Sequence, residues 1–175
     1  PVDLQKVITL YGPRRSGKTY LFYQTMLELA KEGVASTRML YINFEDERIL
    51  PFSKDDWETL LEAFFELYPE NAGEKAYLFL DEAQGMPYWD KFVRRLSEKK
   101  EFRIFLTGSS SKLLSKEIAT SLRGRAISYF LTPFSFREAL SANGLEVQAN
   151  FEHSRQRHLI KKEFSIYLKF GGFPE

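Results

Sequence analysis

Residues 12–19 read Gly12-Pro13-Arg14-Arg15-Ser16-Gly17-Lys18-Thr19, two glycines separated by four residues and followed at once by a lysine and a hydroxyl. The glycines allow a turn tight enough for successive backbone N–H groups to point inward, a concavity that takes phosphate oxygens. In that geometry Lys18 reaches the terminal phosphates of a triphosphate and the Thr19 hydroxyl faces a divalent cation. The flanking sequence agrees. Val7-Ile8-Thr9-Leu10-Tyr11 is short, apolar and β-branched, and predicts a buried strand. Tyr20 to Glu32 contains neither Gly nor Pro and predicts a helix that stops at Gly33. Strand, glycine loop and helix in this order distinguish a phosphate-binding loop from an ordinary surface turn. Gly12, Pro13, Arg14, Arg15, Ser16, Gly17, Lys18, Thr19 and Tyr20 are the expected nucleotide contacts.

Strand and helix patterns alternate through the rest of the chain, which implies an α/β fold around a parallel sheet. Strands are predicted over Arg38–Phe44, Ala76–Leu80, Phe102–Leu106 and Ala126–Leu131. Between them, Ser53 offers an N-cap for a helix through Trp57, Leu60, Leu61, Phe64 and Leu67, ended by Pro69. Further helices are predicted over Pro87–Lys99, Ser111–Leu122 and Arg155–Lys169, with a break at Asn143-Gly144. The expected division is an ATPase core over 1–143 and a helical extension over 144–175 that opens a lid or C-terminal region.

Composition limits the alternatives. A chain of 175 residues with 43% hydrophobic side chains builds a sizeable core, and sixteen Phe leave apolar surface to spare for a partner. The absence of Cys excludes a disulfide framework and a thiolate metal site. No apolar run is long enough to cross a membrane and the N-terminus is not a secretory signal, so a cytoplasmic location is expected. A net charge of +1 makes no general case for nucleic acid. The charge is uneven, however. Glu45–Glu70 is acidic, whereas Lys91–Arg125 carries ten Lys or Arg against three Glu. That run reads as the solvated face of helices or as a surface for DNA or an acidic neighbour.

The chemistry falls at strand ends. The third strand closes on Asp81-Glu82, and acids at the carboxyl end of a central strand project into the crevice where open α/β sheets bind ligands. Asp81 is the expected Mg²⁺ ligand opposite Thr19, and Glu82 the expected activator of an attacking water. Thr107 and Ser109 close the fourth strand. A hydroxyl there contacts the water or a γ-oxygen, or else Ser109 caps the next helix. Arg123 and Arg125 flank Gly124, which suits either an arginine delivered to a neighbouring γ-phosphate or simple C-terminal capping. Asn43, ending the second strand, either restrains Glu82 or satisfies a strand-end backbone group. His153 and His158 read as surface helix residues.

Taken together, the glycine loop, Leu80-Asp81-Glu82-Ala83-Gln84, Leu106-Thr107-Gly108-Ser109-Ser110 and Leu122-Arg123-Gly124-Arg125 resemble an AAA+ ATPase. The nearest likeness is to the prokaryotic archaeal-ATPase-like, STAND-related branch. Leu131-Thr132-Pro133-Phe134-Ser135-Phe136-Arg137-Glu138 and the closing Gly171-Gly172-Phe173-Pro174-Glu175 also resemble that branch. The resemblance implies a P-loop NTPase, a three-layer sandwich with a central five-stranded parallel sheet in the order 5-1-4-3-2. It also implies ATP and Mg²⁺ as cofactors, hydrolysis or ATP-gated switching, and a C-terminal domain beyond this segment. Active sites completed within a homo-oligomer, or by that C-terminal domain, are expected. Two other readings share the loop: a nucleotide-gated switch for DNA or protein with little hydrolysis, and a small-molecule kinase. Adjacent Asp81 and Glu82 favour water over a bound acceptor as nucleophile, and no Asn-Lys-x-Asp guanine-reading motif is present.

Overall fold

The computed structural model describes residues 6–109, 120–122, 124–147 and 156–174. The helix expected over Ser111–Leu122 falls largely outside them, as do Arg123 and His153. Five strands form one parallel sheet: β1 (Val7–Gly12), β2 (Met39–Asn43), β3 (Ala76–Asp81), β4 (Phe102–Ser109) and β5 (Ala126–Phe130). Their order is β2-β3-β4-β1-β5, the expected 5-1-4-3-2 arrangement read from the other edge. The register pairs Gly12 with Ser109 and Asn43 with Asp81, so the carboxyl ends of the strands share one edge.

Central strands of a parallel sheet are covered on both faces, which is why β3 runs without alternation from Ala76 to Leu80. On one face Leu78, Leu80, Ile104 and Leu106 pack with α2 (Asp56–Leu67) and α3 (Trp89–Ser97). Trp57 stacks on Phe92 at 4.5 Å and donates its indole N–H to Pro87 O at 2.8 Å. The opposite face carries Leu10 and Phe79 under Phe22 of α1 (Lys18–Lys31). There Phe79 and Phe105 lie parallel at 4.6 Å, with the edge of Phe22 against Phe79 at 5.3 Å. Much of the phenylalanine surplus is thus structural. Ser53 does not cap α2, which begins at Asp56. The Asp56 carboxylate instead accepts from Ser53 N–H at 2.6 Å and fixes the entry to the helix.

The chain divides into two compact units. The first comprises Pro1–Gly12 with Lys18–Phe130, and the second Pro13–Gly17 with Leu131–Glu175. The boundary expected at 143/144 falls inside the second. That unit contains α4 (Phe136–Ala142), opened by a Ser135/Glu138 capping box, and α5 (Gln156–Phe170). Phe136 contacts the rings of Phe164 and Tyr167 on α5. After α5, Gly171 turns with φ +78° and donates to Tyr167 O at 2.8 Å. Gly172 O then accepts from Phe134 N–H at 2.7 Å, while the Tyr167 hydroxyl donates to Phe134 O at 2.8 Å. No side chain fits at Gly172, because a Cβ there would stand 1.9 Å from Phe134 O. In the same unit, Pro174 Cγ lies 3.8 Å from where a Cβ on Gly17 would be.

The clamp around Gly172 predicts that Gly172→Ala destabilises the protein by roughly 2–3 kcal/mol in urea unfolding, since the obstructing atom is backbone. Gly85, with nothing within 4 Å of its Cβ position, is the control; Gly85→Ala is expected within about 0.5 kcal/mol of the parent.

Candidate functional site

Alternation along β3 puts Asp81 on the same face as Phe79, the face that α1 covers. Thr19 stands in the first turn of α1 and donates its hydroxyl to Asp81 Oδ2 at 2.7 Å. The Tyr41 hydroxyl, from the β2 position beside Phe79, donates to the same oxygen at 3.1 Å. Thr107 of β4 donates to Oδ1. Three hydroxyls therefore satisfy a carboxylate that is only 2% exposed, as burial of a charged group requires. Burial pushes the Tyr41 phenol well above the ordinary tyrosine range. The hydrogen bond with Tyr23 and the charge of Asp81 act in the same direction, so Tyr41 keeps its proton and serves as a donor.

Glu82 follows in the left-handed region at φ 55°, ψ 31°, which costs a non-glycine residue roughly 1–2 kcal/mol. Its N–H donates to Thr107 Oγ1 at 2.9 Å. Its carboxylate turns to β4, where Oε2 accepts from Ser109 N–H at 3.0 Å and from the Ser109 hydroxyl at 2.8 Å. Gln84 Nε2 donates to the same oxygen. Lys18, 6% exposed, stands with Nζ 3.9 Å from Glu82 Oε1 and donates to Gly12 O at 3.2 Å.

In the glycine loop, Arg15 at φ +64° and Gly17 at φ +92° alternate with residues of ordinary conformation, the kind of backbone that turns N–H groups to a common side. Ser16 donates its N–H to Pro13 O at 3.4 Å. Its hydroxyl is buried without a hydrogen-bond partner, an orphaned polar atom of the sort a phosphate oxygen satisfies. Arg14, Arg15 and Tyr20 are exposed. The Thr19 hydroxyl and the Asp81 carboxylate are hard oxygen donors 2.7 Å apart, a set that fits Mg²⁺. Among the described residues no cluster of three or more His, Cys, Asp or Glu makes a cage. Magnesium is commonly held without one, by one or two protein oxygens together with substrate phosphates. The Ser16 hydroxyl thus fits a phosphate oxygen, and the Thr19 and Asp81 oxygens fit Mg²⁺.

The predicted residues do not all converge. Arg125 sits at the amino end of β5, its O accepting from Val7 N–H and its guanidinium 3.0 Å from Glu98. A strand of this length places it about 16 Å along the sheet from the carboxyl edge. Asn43 does not restrain Glu82. Its side chain accepts from Glu45 N–H at 3.0 Å, the strand-end role. The Ser109 hydroxyl, expected to contact water or a γ-oxygen or to cap the next helix, donates to Glu82 Oε2. In the basic segment Arg95 pairs with Glu58, and Lys91 lies over the Tyr88 ring at 4.8 Å, so these two cations fit a paired, solvated surface. Sequence reasoning assigned no role to Tyr41 or Gln84. A polar residue two before Asn43 on an otherwise apolar strand, and an amide two after Glu82, were the available signals.

A family model described as an AAA domain matches residues 4–140. The chain belongs to that family. An uncharacterized protein of Methanocaldococcus jannaschii is 42% identical over 170 residues, 97% of this chain and 36% of its own length. An uncharacterized protein of Haemophilus influenzae is 37% identical over 175 residues, 98% of this chain and 40% of its own. The chain thus spans well under half of these curated relatives. Among solved structures, C. elegans PCH-2 superposes with a TM-score of 0.59 at 18% identity, over 96% of this chain and 51% of that one. At that identity the likeness concerns the fold, an AAA+ type sheet. Among the described residues no helix is long and apolar enough to cross a membrane.

The double role of Thr107 yields a prediction. Thr107→Val removes the donor to Asp81 Oδ1 and the acceptor for Glu82 N–H at once, leaving that oxygen and that N–H without these bonds. A loss of about 2 kcal/mol in urea unfolding, with unchanged m-value, is expected.

Proposed function

We propose that this chain is the Mg²⁺-dependent ATP-binding and hydrolysing domain of a larger protein, which couples nucleotide state to a conformational change or to partner binding. The observation that carries the proposal is the paired carboxylates at the end of β3. Asp81 is bonded to Thr19 of the glycine loop's helix, and Glu82 stands beside Lys18. On this reading the loop from Gly12 to Thr19 and the N–H of Tyr20 hold the phosphates, and Lys18 faces the β- and γ-oxygens. Thr19 and Asp81 bind magnesium, whose charge offsets that developing on the phosphates. Glu82 orients a water and accepts its proton. Arg125, at the far end of the sheet, serves this chemistry only toward a second copy of the chain.

Two variants separate binding from chemistry. Lys18→Ala is expected to abolish measurable ATP binding by titration calorimetry, and an unchanged affinity would remove the loop from the nucleotide site. Glu82→Gln is expected to bind ATP as the parent does while steady-state phosphate release falls roughly a hundredfold or more. Full turnover in that variant would exclude Glu82 as the activator.

A further inference from the structure

We infer that Gln84 is a positioning residue for Glu82: with Ser109 it pins the carboxylate through Oε2 and leaves Oε1 as the oxygen that takes the proton. The inference rests on the reading of Glu82 as the water activator and adds a residue and an atom to it. Three donors meet on Oε2, namely Ser109 N–H, the Ser109 hydroxyl and Gln84 Nε2. A carboxylate oxygen has two in-plane lone pairs, so Oε2 is saturated. Oε1 has Lys18 Nζ at 3.9 Å, beyond hydrogen-bond distance. The two oxygens are therefore inequivalent, and only Oε1 retains the capacity to accept from water.

The Gln84 amide has one sensible orientation. Turning its carbonyl toward Glu82 would set two acceptors against each other, so the NH₂ must face Oε2. That orientation leaves Gln84 Oε1 buried with no hydrogen-bond partner, at a cost of about 1–3 kcal/mol. The neighbouring residue, Glu82, is itself held in the left-handed region. Two unfavourable features within three residues indicate a geometry kept for what it positions rather than for stability. Bond by bond, a water forms its O–P bond to the γ-phosphorus as the bond from that phosphorus to the bridging oxygen of ADP breaks. The water's proton goes to Glu82 Oε1 and leaves afterwards to solvent.

The test compares Gln84→Leu, Glu82→Gln and the double variant. Phosphate release is one readout, and calorimetric binding of Mg²⁺ with a non-hydrolysable ATP analogue or with ADP and aluminium fluoride is the other. Gln84→Leu is expected to leave analogue affinity within twofold, weaken the ADP–aluminium fluoride complex about tenfold or more, and lower kcat by a similar factor. In the Glu82→Gln background it is expected to change neither quantity by more than twofold, because its effect passes through that carboxylate. Gln84→Met, of similar length and also lacking the donor, repeats the experiment if the leucine variant fails to fold. Parent-like kcat and aluminium fluoride affinity in the Gln84 variants overturn the inference, as does a full additional loss on top of Glu82→Gln. If Glu82→Gln alone changes nothing, the activator reading itself fails and takes this inference with it.

Discussion

The Thr107 hydroxyl fixes the relation between the two carboxylates. It donates to Asp81 and accepts from the backbone N–H of Glu82, so one oxygen on β4 sets both where the first acid is held and how the chain leaves β3. A hydroxyl can do this because it is donor and acceptor at once. A valine of the same shape could do neither. The effect depends on β4 running between β1 and β3, a placement that the crossovers of this parallel sheet produce. Had β3 paired with β1 directly, the acids would adjoin the glycine loop's strand with no hydroxyl between them.

Asp81 and Glu82 are consecutive yet point to different partners. A strand continued past Asp81 would turn Glu82 toward the face occupied by Leu78 and Leu80, where a carboxylate finds only apolar side chains. The left-handed turn at Glu82 interrupts that alternation and brings its carboxylate to Ser109 at the end of β4. The strain at this residue is thus the physical means by which two adjacent acids acquire separate tasks, one facing the hydroxyls of Thr19 and Tyr41, the other facing Lys18.

How much of this was legible in the sequence follows from the range of the interactions. The glycine loop and the strands are local patterns, and Val7–Gly12, Ala76–Asp81 and the helix after Lys18 emerged within one or two residues of expectation. The expected sheet order came with the family resemblance. Asp81 was legible because strand ends in such sheets have a chemical meaning. The partners of Glu82 were not, because the choice among Asn43, Ser109 and Gln84 depends on a backbone turn that no propensity announces: Asn43 and Gln84 are equally polar, and only the φ angle at Glu82 decides between them. Ser53 failed as a cap for a related reason, since Asp56 three residues on captured its backbone and the helix began later. The Gly-Gly after α5 had a visible oddity in its composition. Its cause, the approach of Phe134 O to Gly172, is long-range and appears only in three dimensions.

These arrangements bear on which part of the proposed site is fixed. Glu82 is held by three hydrogen bonds and a constrained backbone, so its carboxylate is set in place before any substrate arrives. Lys18 Nζ donates to Gly12 O at 3.2 Å and stands 3.9 Å from Glu82 Oε1. A phosphate oxygen carries more charge than that carbonyl and outcompetes it for the ammonium group. On the proposed reading, Lys18 serves the phosphates while the Glu82 carboxylate keeps its bonds to Ser109 and Gln84 through Oε2. A base fixed in advance needs no reorganisation during the reaction, which is the condition under which electrostatic catalysis is most effective.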